Sequence, residues 1–115
     1  MNIGIDFDNT ITDNPGLFRE LTAGLSKNNH IYIISSYEKA EETLIEEISS
    51  EKTRMLNEWG INFKELYLAP EPVPESKAAY CKKKNIVLMI DDLQENLSKI
   101  MEISTDTVCM RYLST

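Results

Sequence analysis

Short apolar runs alternate with longer amphipathic stretches from one end of the chain to the other, and that alternation predicts strands and helices by turns. Residues 1–5 open with Ile3 and Ile5 about a glycine. Residues 30–35 hold Ile31-Tyr32-Ile33-Ile34, residues 65–69 read Glu-Leu-Tyr-Leu-Ala, and residues 86–90 read Ile-Val-Leu-Met-Ile. Runs this apolar, bounded by polar residues, predict strands buried on both faces of a parallel sheet. Between them, Asn14-Pro15 reads as an N-cap followed by proline in the first helical turn, with the helix continuing to residue 27 before Asn28-Asn29 turn the chain. Over residues 38–59, Leu44, Ile45 and Ile48 recur in phase with Met55, Leu56 and Trp59, which predicts one buried stripe ended by Gly60. Residues 76–84 and 94–101 predict two shorter helices, and residues 107–110 an edge strand. The expected architecture is a three-layer, Rossmann-like α/β fold, a parallel sheet of about five strands flanked by helices through right-handed crossovers.

Two of these strands end in acids. Ile5 runs into Asp6-Phe7-Asp8-Asn9-Thr10, and Ile90 runs into Asp91-Asp92. Taken singly, an Asp-x-Asp at a strand end is commonly a turn, and Asp92 could cap the helix that follows. Together they are different, because ligands in open α/β sheets gather at the carboxyl ends of the strands. If the two strands are neighbours, four carboxylates share one crevice and need a cation to offset their repulsion. An oxygen-only ligand set favours Mg2+.

In order along the chain, Asp6-x-Asp8-x-Thr10 after a strand, the apolar strand ending in Ser35, Lys77 at a helix start, and Asp91-Asp92 after a strand resemble the four signatures of the haloacid dehalogenase (HAD) superfamily. The resemblance runs from Ile3 to about Ile103. The second signature continues Ser36-Tyr37, where the family often has Gly-Arg. Lys77 is preferred to Lys82, Lys83 and Lys84, which read as a solvated helix C-terminus. The resemblance implies that the first strand lies between the second and fourth, so that Asp6, Ser35 and Asp91 converge. It implies a Mg2+-dependent phosphomonoester hydrolase in which Asp6 forms an aspartyl-phosphate and Asp8 serves as general acid and base. Ser35 and Lys77 would hold the phosphoryl oxygens. Metal ligands would be Asp6, Asp8 through its backbone carbonyl, Asp91 and Asp92. Members often carry a cap domain; here residues 10–30 hold one helix and residues 70–76 read as a bare loop, so no cap domain is expected. An open site implies either a large phosphorylated partner or closure by a second copy in a homo-oligomer. The substrate classes are a nucleotide, a sugar phosphate or a phosphorylated macromolecule.

The alternative from another class is a non-enzymatic receiver-like or inactive phosphate-binding module. Receivers also use paired acids, a hydroxyl, a lysine and magnesium, but place the phosphorylated Asp near mid-chain; here no Asp ends the third strand.

At 115 residues the chain suits one domain over its whole length. Its 42% hydrophobic and 27% charged residues are those of an ordinary globule. A net charge of −7 argues against nonspecific nucleic-acid binding and against attachment to an anionic membrane. No apolar run reaches membrane length and the first strand begins at once, so the expected location is the cytoplasm. Cys81 and Cys109 have neither metal nor disulfide-framework spacing.

Overall fold

A computed structural model describes residues 1–37 and 44–113. In chain order the elements are β1 (Asn2–Ile5), a wide turn over Phe7–Ile11, α1 (Pro15–Leu25), β2 (His30–Ser36), α2 (Leu44–Glu58), β3 (Glu65–Ala69), α3 (Val73–Lys83), β4 (Ile86–Asp91), α4 (Gln94–Ile103) and β5 (Val108–Arg111). The strands form one sheet in the order β3-β2-β1-β4-β5. Every pairing is parallel, with Ile5 beside Ile33 on one side and Ile90 on the other. β1 therefore lies between β2 and β4. The sheet is the expected Rossmann-like one, and among the described residues no inserted layer covers the strand ends.

The period of two along each strand divides the core. Ile3, Ile5, Ile31 and Ile33 face one side, where they pack with Phe18 of α1 and Leu56 of α2. Tyr32, Ile34 and Met89 face the other, against Ala78 and Cys81 of α3 and Leu97 and Ile100 of α4. Gly4 shows how closely the second face is packed: a Cβ there would stand 2.8 Å from both Ile34 Cδ1 and Met89 Sδ, and 3.3 Å from Ile86 Cγ2. Gly4→Ala is expected to lower unfolding stability by about 1–3 kcal/mol, since a close-packed core must shift to admit the methyl. A chemical-denaturation midpoint checks this, and an unchanged midpoint would show that the layer yields freely.

Several boundaries move. Asn14 caps α1 as expected, its Oδ1 accepting from Leu17 N at 3.2 Å, but the helix ends at Leu25. In α2, Leu56 is buried and Met55 packs on the core, as does Trp59 just past the helix end, whereas Ile45 is 43% exposed, so the predicted stripe does not extend to that residue. The part of the expected helix over residues 38–43 lies outside the described residues. Gly60 turns the chain with φ 72°, a left-handed conformation that suits glycine. α3 starts at Val73, three residues early, because proline is tolerated in a first helical turn; residues 73–76 are helix and not loop. β2 and β4 each run one residue longer than expected, α4 runs to Ile103, and β5 sits one residue later. The cysteines are unpaired thiols, Cys81 buried and Cys109 half-buried. No helix of the described residues is long and apolar enough to cross a membrane.

Candidate functional site

After a register shift between Asn2 and Ile3, β1 and β4 pair regularly, and Asp6 N donates to Ile90 O at 2.8 Å, so the ladder continues into the acids. This brings the carboxylates of Asp6 and Asp91 to the same end of adjacent strands. Between them lies Lys77, projecting from the second turn of α3, with Nζ 2.6 Å from Asp6 Oδ1 and 2.8 Å from Asp91 Oδ2. Lys77 is 1% exposed, Asp6 4% and Asp91 fully buried. Asp91 is further held by Leu93 N at 3.0 Å and Asn96 Nδ2 at 3.2 Å. Thr10 is buried beside them, its hydroxyl 3.1 Å from Asp6 Oδ2 and 3.5 Å from Asp92 Oδ1.

Oxygens of Asp6, Asp91 and Asp92 lie within 4.8 Å of one another. Octahedral Mg2+ at about 2.1 Å sets its ligand oxygens about 3–4 Å apart, so a small contraction would admit the ion. Charge also favours one, because three carboxylates face a single ammonium. Burial pushes the Asp6 carboxyl well above the usual carboxylate range; the Lys77 ammonium opposes that shift, and the Asp91 charge adds to it. For Lys77, burial works against the ammonium, but the charges of Asp6 and then Asp91 outweigh it and its pKa is raised. In an isolated ion pair the acid would move down as the base moves up. Here both move up, because burial outweighs the ammonium at Asp6 while the two acids outweigh burial at Lys77; a hard divalent cation fits the oxygen-only donor set.

The other two expected site residues are placed differently. Ser35 is buried at the end of β2, but its hydroxyl accepts from Lys52 Nζ at 2.5 Å and donates to Ser36 O at 3.1 Å, away from Lys77. Asp8 follows Asp6 in extended backbone, and the next residue, Asn9, is left-handed at φ 62°. The Asp8 side chain is turned outward, 52% exposed, onto Lys52 at 3.2 Å. Lys52, Thr10 and Asn96 were not foreseen as site residues. Thr10 stood in plain view beside the first acid pair. Asn96 lies in the first turn of α4, four residues after Asp92, a weak signal. Lys52 carried none, since it is one charged residue on a charged helix and reaches Ser35 only because α2 lies against β2.

A cleft of about 240 Å3 opens over this cluster, lined by Asp6, Asp8, Ser36, Lys77, Asp92 and Asn96 among others. Asp8 also borders a groove of about 380 Å3 between the Phe7–Ile11 turn and α2, whose walls include Phe7, Ile48, Met55 and Lys52. A larger depression, about 470 Å3, lies at the opposite edge of the sheet near Lys82 and Asp106, away from the carboxylates.

Comparison with known proteins returns a likeness in structure. No protein-family model matches the chain, and no curated protein matches it. Among solved structures, a universal stress protein in complex with cAMP aligns over 100% of this chain and 98% of its own, with a TM-score of 0.65 and 11% sequence identity. At that identity the likeness concerns the fold. The finding overturns the haloacid dehalogenase assignment and, with it, the phosphatase activity through an aspartyl-phosphate on Asp6. The physical reason lies in the sheet. Acids, hydroxyls and lysines collect at the carboxyl ends of parallel strands in many unrelated α/β proteins, so their order along the chain is weak grounds for a family. In the site itself both Asp6 oxygens are engaged, by Lys77 and Thr10, and the Asp8 carboxylate points to Lys52.

Proposed function

We propose that this chain is a nucleotide-binding protein that takes the phosphate of its ligand, together with Mg2+, at the carboxyl ends of β1, β2 and β4. The observation that carries the reading is the buried Asp6–Lys77–Asp91 cluster with Asp92 beside it, a set of oxygens with too little positive charge of its own. Asp6, Asp91 and Asp92 would hold the cation, with the Asp8 backbone carbonyl as a further ligand; the cation would supply the positive charge that lets a phosphate approach three acids. Lys77 holds Asp6 and Asp91 in place, and Ser36 borders the cleft on the β2 side, while the buried Ser35 hydroxyl is committed to Lys52 and Ser36 O. The adjoining groove suits the rest of a nucleotide, since its Phe7, Ile48 and Met55 walls offer apolar surface to a base. Together the cleft and groove fall within the size range of small-molecule sites. The cAMP complex of the structural neighbour supports the ligand class. Free thiols at Cys81 and Cys109 suit the cytoplasm, where a nucleotide and Mg2+ are at hand.

Thermal-shift and calorimetric titrations with AMP, ATP and cAMP test this. Mg2+ with a nucleotide is expected to raise the unfolding midpoint, by about 2.7 kcal/mol of stability at a hundredfold excess over Kd. Adenosine is expected to give a much smaller effect, and EDTA to reverse the nucleotide's effect. Equal shifts with AMP and adenosine, or a nucleotide effect indifferent to EDTA, would overturn the reading.

A further inference from the structure

We infer that Lys52 is a second anion ligand of the cleft, parked on Asp8 in the free protein, and that the Asp8 side chain competes with the ligand for it. The inference rests on the nucleotide reading and deepens it.

Lys52 approaches the strand ends from α2, on the β2 side of β1, opposite Lys77. Its Nζ lies 3.2 Å from Asp8 Oδ2, 2.5 Å from Ser35 Oγ and 3.0 Å from Ser36 O, and 4.9 Å from the centre of the Phe7 ring. An ammonium has three N–H donors, and these three oxygens take them all. Two belong to the β2 terminus and are fixed by the sheet. The third is different: Asp8 belongs to a turn and its carboxylate is 52% exposed, whereas the Lys52 side chain is 13% exposed. An ion pair with so exposed a partner contributes little and is readily exchanged.

Asp8 and Ser36 border the phosphate cleft, while Asp8 and Lys52 border the apolar groove, so the ammonium stands where the two meet. That is the position of a phosphate whose nucleoside occupies the groove. A phosphate dianion in the cleft offers Lys52 a more highly charged acceptor than Asp8 does. The donor can pass from Asp8 to a phosphate oxygen while the Ser35 and Ser36 bonds stay. Asp8, already half exposed, is then left to water. In this arrangement the Asp8 side chain disfavours the ligand twice, by holding the cation and by repelling the phosphate.

Calorimetric titration of the full-length chain with AMP, and separately with adenosine, in Mg2+ buffer distinguishes these roles. Asp8→Asn is expected to tighten AMP several-fold, and Lys52→Met to weaken it by about tenfold, the scale of one charge-assisted bond. Lys52→Arg should keep most of the affinity. Because Asp8 and Lys52 also border the groove, each variant's AMP affinity is read against its own adenosine affinity, and the AMP-to-adenosine ratio should rise for Asp8→Asn and fall for Lys52→Met. Weaker AMP binding by Asp8→Asn, or AMP binding by Lys52→Met equal to that of the wild type, would overturn the inference; should Lys52→Met fail to fold, Asp8→Asn and Lys52→Arg still decide. The two failures are distinguishable. A wild-type chain that binds no AMP removes the nucleotide reading and this role together, whereas wild-type binding with indifferent variants removes this role alone.

Discussion

Replacement of Lys77 by methionine is expected to destabilise the fold by about 3–5 kcal/mol, because it leaves two buried carboxylates without the charge between them. Methionine fills nearly the same volume, so little of the loss comes from packing. Asp6 and Asp91 lie within 2.8 Å of the missing ammonium and are almost wholly shielded from water. The loss should also depend on pH. The Lys77 pKa is raised in the folded chain, so its contribution is fully present below the ordinary lysine value of 10.5 and disappears only as pH rises through the higher folded value. Across the neutral range the wild type therefore keeps its ammonium. In the variant Asp6, already pushed up by burial, loses the ammonium that opposes that shift, so the gap between wild type and variant should widen between about pH 4 and about pH 7 as the variant's Asp6 is forced to ionise. Urea unfolding at both pH values measures it. A gap below about 1 kcal/mol at neutral pH would mean that Lys77 is not the counter-charge of the cluster.

Asp6→Asn is expected to act in two opposite directions. In EDTA it should stabilise the chain by about 1–2 kcal/mol, because it removes one of three crowded negative charges and Asn Oδ1 can still accept from Lys77. The upward pressure of burial on the Asp6 carboxyl has the same sign, the fold favouring the neutral group. The response to Mg2+ should be lost at the same time. Even an outer-shell partner can be worth up to about 100-fold in metal affinity, and a ligating carboxylate should be worth at least that. Thermal unfolding with and without Mg2+ reads both effects. A variant less stable than the wild type in EDTA would show that Asp6 is held there as a structural ion pair. An undiminished Mg2+ response would place the cation elsewhere. A protein less stable for carrying its site is the usual cost of gathering like charges before a ligand arrives.

The elements themselves were legible along the chain. Ile31 to Ile34 alternate between the two cores, as buried strand residues must, and Asn14 caps α1 through a bond that spans three residues. That Asp6 and Asp91 stand on one edge followed from parallel strands, which end on the same edge; that β1 and β4 are neighbours was implied only by the family resemblance, and the sheet order has them so. The start of α3 was misplaced because prolines were read as loop residues, although a first helical turn accepts them.

By itself, then, the order of residues determined the layers, the buried strands and the edge on which the acids stand, because each depends on periods of two or 3.6 and on local capping. It did not determine which protein family the acids belong to, since convergence at strand ends is a property of every parallel sheet. Only the tertiary structure decided that the Asp8 side chain turns outward, that Ser35 answers to Lys52, and that Lys52 reaches the site at all. Asp8 and Lys52 are 44 residues apart in the chain, and they meet because α2 packs against the sheet and the turn after β1 bends back to it. No local period encodes such a meeting.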